Sequence, residues 1–279
     1  MYRIVIFDVK EQTGVLLCAS HLIVDAWAVS IFANMVYTEY NVFKQNIPTD
    51  ETSHSYTYFA ENEIKYFGSG RYERDKKYWH DKYQIQPSIC SIKPHSPAAL
   101  HPDANRYTFQ IPACLSSKIR QFALKTRITE AVLSEAALVI YLYRINTENK
   151  QVTIGMLVFN RNDAKEKAMI GNCVTTTPMT YDMAGASTAE ELFKIIQEGH
   201  MQLFRHQKYP YSEILHDLHE RFSFSGNLYD VLFSFQNAQL GVNATTKWFS
   251  NGSCEVPLEF HVDNRDNKNS YTINLDYQT

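Results

Sequence analysis

Runs of β-branched and aromatic residues alternate with stretches of helical period along this 279-residue chain, and that alternation confines it to the α/β class. Residues 2–9 and 14–19 are β-rich and flank Lys10-Glu-Gln-Thr-Gly14, which predicts a hairpin. From Trp27 to about Gln45, Ile31, Phe32, Met35, Val36 and Tyr40 recur at helical spacing. Helices over 55–67 and 71–84 are broken apart at Gly68-Ser-Gly70. Residues 85–105 lose periodicity and carry Pro87, Pro94, Pro97 and Pro102. The boundaries that follow are a first unit over 1–92, a linker over 93–104 and a second unit over 105–279. The second unit reads as a strand at 105–111, a helix at 116–126, and a helix at 130–144 with Thr129 as N-cap and Glu130 in its first turn. Strands at 152–158 and 170–181 follow. Ser187-Thr-Ala-Glu190 reads as a capping box opening a helix to about 205, and a short helix covers 211–221. Strands at 229–236, 254–262 and 271–277 close the chain.

Composition removes several classes of function. Hydrophobic residues are 44% and charged residues 20%, so the chain can build a core and is neither a disordered nor a fibrous protein. Lys+Arg number 27 against 30 Asp+Glu, a net charge of −3, which speaks against nucleic acid or an anionic membrane as the main partner. Cys18, Cys90, Cys114, Cys173 and Cys254 are odd in number, far apart and free of a C-x-x-C pair, which points to reduced thiols in the cytoplasm and to no structural zinc. The N-terminal run reaches Asp8 too soon for a signal sequence, and no apolar run approaches the ~18 residues of a membrane span. Asn243-Ala-Thr245 and Asn251-Gly-Ser253 match the glycosylation sequon, a chance match in such a chain.

The residues with most chemistry to offer are Ser20-His21-Leu-Ile-Val-Asp25-Ala-Trp27, where a strand ends and a helix begins. A histidine there has its body on the core and its tip at the rim, suited to proton transfer near pH 7. Asp25 is placed to orient the ring or hold the loop. Other candidates read as structure. His216 and His219 beside Glu220 have i, i+3 spacing and no third ligand, so a solvated helix face is expected and not a metal site. His206, before Gln207 and Pro210, fits a helix-ending turn, and Lys165 and Lys167 fit the surface. Gly68-Ser-Gly70 has neither the strand nor the Lys-Ser/Thr of a phosphate loop. Ser20 is no nucleophile for His21, since neighbours on a strand point to opposite faces.

The stretch Leu16 to Trp27 resembles the His-His-x-x-x-Asp-Gly motif of nonribosomal peptide synthetase condensation domains. Further segments resemble that family in its own order: Ser55-Tyr-Thr-Tyr-Phe-Ala60, Asp75-Lys-Lys-Tyr-Trp79, Gly155-Met-Leu-Val-Phe-Asn-Arg161, Ile170-Gly-Asn-Cys-Val-Thr-Thr176, His206-Gln-Lys-Tyr-Pro-Tyr211 and Asn227-Leu-Tyr-Asp-Val-Leu-Phe233. Each is weak alone; together they run from about residue 2 to residue 277. The sequence departs from the pattern at four places: Ser20 replaces the first histidine, Ala26 the glycine, Thr175 the asparagine of Val-Asn-Thr, and Thr180 the arginine that usually closes that segment. Ser20 speaks against the heterocyclising branch, and Trp27 directly after Ala26 resembles the condensing type.

The resemblance implies a two-lobed, chloramphenicol acetyltransferase-like α/β fold with a tunnel between the lobes. It implies amide-bond formation between a donor acyl thioester and the amine of an aminoacyl acceptor, each carried on the phosphopantetheine arm of a carrier protein. It implies no cofactor bound by the domain itself. The implied partners are donor and acceptor carrier proteins and the neighbouring synthetase modules, with no nucleic acid and no membrane. By motif position His21 is the catalytic group, as base, positioning group or stabiliser of the tetrahedral intermediate. Asp25 is structural, with Arg161 one candidate partner and an upstream arginine of the family another. Ser20, Ala26, Trp27, Asn172 and Thr175 are expected to line the substrate path. In that family a longer stretch precedes the double-histidine motif than the 19 residues before Ser20, and helices follow the last strands, so an incomplete N-terminal lobe and a fragment are expected. Two other readings stay open: a degenerate member that docks carriers or recruits a partner, and an acyltransferase using a free amine or alcohol.

Overall fold

The structure, a computed structural model, describes residues 1–10, 12–45, 54–92, 102–237, 249–265 and 270–279. It divides into two compact units. The first comprises Met1–Gly68, Phe159–Thr175 and Ala238–Ala244, and the second comprises Ser69–Val158, Thr176–Asn237 and Thr245–Thr279. The boundaries expected from the prolines, 1–92, 93–104 and 105–279, differ from this division, and 93–101 together with Asn243 of the first sequon lie outside the described residues.

In the first unit, β1 (Tyr2–Val9) pairs antiparallel with β2 (Gln12–Ala19) from Tyr2↔Ala19 to Val9↔Gln12. Its apolar residues are exposed on both faces, Tyr2, Ile4, Ile6 and Val15 on one and Phe7, Val9 and Leu16 on the other. The long helix α1 (Ala26–Gln45) follows, and then α2 (Thr57–Phe67). Phe59 and Tyr58 of α2 pack with Met169 and Cys173, which draws 159–175 into this unit although it lies a hundred residues further along the chain.

The second unit is built on a six-stranded sheet of order β3-β8-β7-β6-β4-β5: β3 (Ala104–Gln110), β4 (Gln151–Val158), β5 (Thr175–Asp182), β6 (Val231–Gln236), β7 (Leu258–Asp263) and β8 (Thr272–Gln278). β4 is parallel to β6 and β6 to β7, whereas β8 is antiparallel to both β7 and β3. β4, Gln-Val-Thr-Ile-Gly-Met-Leu-Val, is buried along nearly its whole length, the pattern of an interior strand in a mixed sheet. Gly155 lets Tyr229 lie on it: a Cβ there would fall 2.3 Å from the ring. The helices are α3 (Gly70–Lys82), α4 (Ala113–Thr126), α5 (Glu130–Ile145), α7 (Ala189–His206) and α8 (Tyr211–Phe222); α6 (Ala164–Lys167) is a single turn in the first unit. Thr129 caps α5 by accepting from Val132 N. α5 buries Val132, Ala136, Val139 and Leu142 at helical spacing.

Three differences from the sequence reading have local causes. The strand expected over 170–181 starts only at Thr175, because 166–171 is claimed by an arginine described below. The capping box of α7 is Thr188 with Glu191, one residue later than expected: the Glu191 carboxylate accepts from the N–H groups of Ser187 and Thr188, and Thr188 Oγ1 accepts from Glu191 N. Helix α3 belongs with the second unit, since Trp79 and Tyr83 are buried with Ile214, Leu218 and Phe224, and Trp79 donates to the His206 carbonyl at 3.2 Å.

Glu135 of α5 is fully buried in the second unit's core. Tyr181 of β5 donates to Oε1, and His200 of α7 meets Oε2 at 2.6 Å. The carboxyl thereby satisfies both oxygens and ties two helices to the sheet. Burial and the Glu135 carboxylate push the Tyr181 hydroxyl well above the ordinary tyrosine range.

Adding a methyl at Gly155 must displace a buried ring, so Gly155→Ala is expected to destabilise the fold by about 1–3 kcal/mol. Urea unfolding followed by far-UV circular dichroism reads this as a lower midpoint at unchanged slope.

Candidate functional site

The loop 20–25 is fixed at both ends. At its start Ser20 N donates to the Met1 carbonyl at 3.0 Å, and the Ser20 hydroxyl accepts from Leu22 N at 3.3 Å. A turn over 21–23 follows, with Ile23 N on the Ser20 carbonyl at 3.0 Å. At its end Asp25 caps α1: Oδ1 accepts from Ala28 N at 2.7 Å, and the Asp25 carbonyl accepts from Val29 N at 3.0 Å. His21 is exposed, and its imidazole has no hydrogen-bond partner among the described residues. Such a ring is free to exchange a proton with a ligand.

Asp25 is 2% exposed, and Arg161 supplies its countercharge, Nη2 lying 3.1 Å from each carboxylate oxygen. Both side chains are dry, at 1% and 0% exposure. A buried pair survives desolvation only when its remaining donors and acceptors are also met. Arg161 meets this at its two terminal nitrogens by gathering carbonyls, with Nε alone left without a partner among the described residues: Nη1 donates to Glu166 at 2.6 Å and Met169 at 2.7 Å, and Nη2 donates to Gly171 at 2.7 Å. The residue before it, Asn160, takes a left-handed φ of 50°, which turns the chain out of β4. The second Asp25 oxygen accepts from Cys173 N at 3.0 Å.

The wrapped segment 162–173 has its own supports. Asp163 caps α6 by accepting from Glu166 N at 2.8 Å, which with the Tyr58 hydroxyl holds its carboxyl below the ordinary range. Tyr56 donates to the Asn172 carbonyl at 2.8 Å, and its ring lies on Gly171, where a Cβ would fall 2.0 Å from it. Burial raises the Tyr56 hydroxyl. Burial also pushes the Cys173 thiol up to about 11, so it is a core group and not a nucleophile. Trp27 donates from Nε1 to the Lys167 carbonyl at 2.9 Å and meets Phe159 edge-on at 4.9 Å.

The structure therefore brings His21, Asp25, Trp27, Arg161 and Asn172 into one cluster, and Asn172 Nδ2 donates to the His21 carbonyl at 2.8 Å. Ser20 is half-buried and bonded within the loop, so it holds the turn. Ala26 opens α1 on right-handed helical backbone, where alanine carries no strain. Thr175 starts β5 and is half-buried. The roles of Tyr56, Asp163 and Glu166 were not legible, though Tyr56 stands inside the Ser55–Ala60 motif.

Of the other histidines singled out by the sequence, His206 and His219 are bound into the structure and His216 lies at the surface. His206 bonds Asp75 at 2.7 Å and stacks on Tyr78 at 3.9 Å, and His219 lies 3.0 Å from the Phe224 carbonyl. His216 meets Glu220 at 3.5 Å on an open helix face. Glu259, His261 and Asp276 offer ligand atoms within 4.8 Å of one another on the second unit's sheet. Asp276 is already held by Arg106 through two bonds of 2.6 Å and His261 by Ser234 at 2.7 Å, which makes this a closed polar network. No helix among the described residues is long and apolar enough to cross a membrane.

Comparison with known proteins gives one consistent result. The family model for the condensation domain matches residues 1–279. Surfactin synthase subunit 1 of Bacillus subtilis (strain 168) is 30% identical over 285 residues, spanning 100% of this chain and 8% of that protein. The starter condensation domain of rhizomide synthetase superposes with a TM-score of 0.82 at 18% identity, over 99% of this chain and 63% of that one. VibH, a nonribosomal peptide synthetase condensation enzyme, superposes at 0.80 and 15% identity, over 99% of this chain and 65% of that one. The mixed α/β fold is thus that of condensation domains, the chloramphenicol acetyltransferase-like class. The chain spans about two thirds of these solved domains and a small part of the synthetase subunit.

Removing one partner of a dry ion pair strands the other, so Arg161→Met is expected to cost about 3–5 kcal/mol. The double variant Arg161→Met with Asp25→Leu, which strands no charge, is expected to recover part of that loss. Denaturant midpoints of the four proteins of this cycle check both statements.

Proposed function

The chain belongs to the condensation-domain family, and from that premise we propose that it joins a carrier-bound acyl or peptidyl donor to the amine of a carrier-bound aminoacyl acceptor. The observation that carries the reading is the exposed His21 imidazole, without a hydrogen-bond partner among the described residues, on a loop anchored at Asp25 by a dry ion pair. The acceptor nitrogen attacks the donor thioester carbonyl. A C–N bond forms, the C–S bond breaks, and the phosphopantetheine thiol of the donor carrier leaves. The nitrogen loses one proton in this exchange and the departing sulfur gains one. His21 serves this transfer as base, or holds the amine, or stabilises the tetrahedral intermediate. Asp25 and Arg161 hold the loop and touch no substrate. Ser20, Ala26, Trp27 and Thr175 border the path of the tethered groups. The phosphopantetheine arms belong to the carriers, and the domain supplies no prosthetic group. Donor and acceptor carriers and adjoining synthetase modules are its partners, and loading takes place elsewhere.

A second reading, a member that docks carriers without turnover, is favoured by Ser20, Ala26 and Thr175 standing where the family motif has other residues. Carrier dependence separates the readings: condensation needs both loaded carriers, a free-acceptor transferase needs the donor carrier alone, and a docking module binds carriers without product.

With both carriers loaded, His21→Ala is expected to lower amide formation by about 10²–10⁴-fold while leaving carrier binding unchanged. Intact-mass analysis of the acceptor carrier reads the product. Undiminished product in the variant would sink the role of His21, and carrier binding without product in the wild type would establish the docking reading.

A further inference from the structure

Asp25 anchors the far end of the 20–25 loop and Ser20 the near end, which leaves four residues, His21 to Val24, between two fixed points. The His21 backbone has a restraint of its own. Its carbonyl accepts from Asn172 Nδ2 at 2.8 Å. The next residue, Cys173, donates its N–H to Asp25 Oδ2 at 3.0 Å. Two consecutive residues of one segment therefore grip both ends of the segment His21–Asp25.

The gripping segment is itself held. Gly171 on one side accepts from Arg161 at 2.7 Å, and the Asn172 carbonyl accepts from Tyr56 at 2.8 Å. The orientation of the amide is fixed by chemistry: a carbonyl can only accept, so nitrogen and not oxygen faces His21. Asn172 Oδ1 is buried without a partner among the described residues. An unmet buried acceptor is unfavourable, so the side chain is not here for its stabilising bonds alone.

Resting on the reading that His21 carries the chemistry, we propose that Asn172 is a positioning residue, whose side-chain N–H clamps the His21 carbonyl and fixes where the imidazole stands. The assignment goes beyond substrate lining, since the bond runs to the backbone of the reactive residue. The clamp acts on His21 and touches no substrate. Its loss leaves binding of the tethered substrates intact and lets the ring wander. Displacing a reacting group by about 1 Å costs on the order of 10²-fold in rate.

Two variants distinguish a donor from a filler. Asn172→Asp keeps the shape and at neutral pH removes the N–H. Asn172→Ala removes both. The clamp predicts that both lower kcat by about 10- to 100-fold with KM within about twofold. As pH falls, the Asp variant regains an O–H donor on protonation. Its activity relative to wild type at the same pH is expected to rise, while that of the Ala variant stays flat. The His21 Cε1–H resonance, assigned by its loss in His21→Ala, reads the ring without any turnover, and is expected to shift or broaden in both variants. Wild-type kcat and an unmoved His21 resonance in Asn172→Asp would overturn the proposal, as would a loss of rate with that resonance unmoved. If His21→Ala itself keeps full activity, the catalytic reading fails and the resonance alone decides the clamp.

Discussion

One guanidinium organises the first unit's chemistry. Arg161 must be neutralised and hydrogen-bonded to remain dry, and it does so by drawing the Asp25 carboxylate and the carbonyls of Glu166, Met169 and Gly171 around itself. The far end of the His21 loop follows from that demand. The segment after β4 has to wrap instead of extending. Gly171 has to lack a side chain, because Tyr56 lies where one would be. Asp25 divides its two oxygens between the start of α1 and the turn at Cys173. A wet ion pair would impose none of this, because water would complete either ion in any conformation.

The outcome is a contrast between neighbours. Asp25 and Arg161 are dry and saturated apart from Arg161 Nε, whereas His21, four residues from Asp25, is exposed and its imidazole has no hydrogen-bond partner among the described residues. Rigidity is supplied through backbone atoms, leaving the imidazole nitrogens uncommitted. The other histidines with close partners show the opposite arrangement: His200 is spent on Glu135 and His206 on Asp75.

Much of this could be read from the sequence, and the failures share a cause. Hydrophobic period placed the helices and strands, and the order of short motifs singled out His21, Asp25 and Arg161. Where local pattern and long-range demand disagreed, the long-range demand won. Residues 170–174 have the composition of a strand, but the Gly171 carbonyl is taken by Arg161, so no ladder can form there. Thr188 displaced Ser187 as cap because Glu191 can reach back to two N–H groups. Prolines mark a stretch without period but not the division of the chain. That division is set by where Trp79, Tyr83 and Phe59 find partners, and no local signal encodes it. Asn172 could be named as a residue of interest, but a side chain reaching the backbone 151 positions away leaves no trace in spacing.

The Glu135, Tyr181 and His200 trio carries a lesson about sequence drift. The buried Glu135 carboxyl meets its hydrogen-bonding needs only through the other two. A lineage that exchanges one first passes through a chain with a bare buried carboxyl, or with a hydroxyl and ring turned toward nothing. Such an intermediate loses about 3–5 kcal/mol, a large part of the 5–15 kcal/mol that holds a typical domain together. A change at any of the three positions, on two helices and a strand and spread from residue 135 to residue 200, is therefore expected to call for matching changes at the other two.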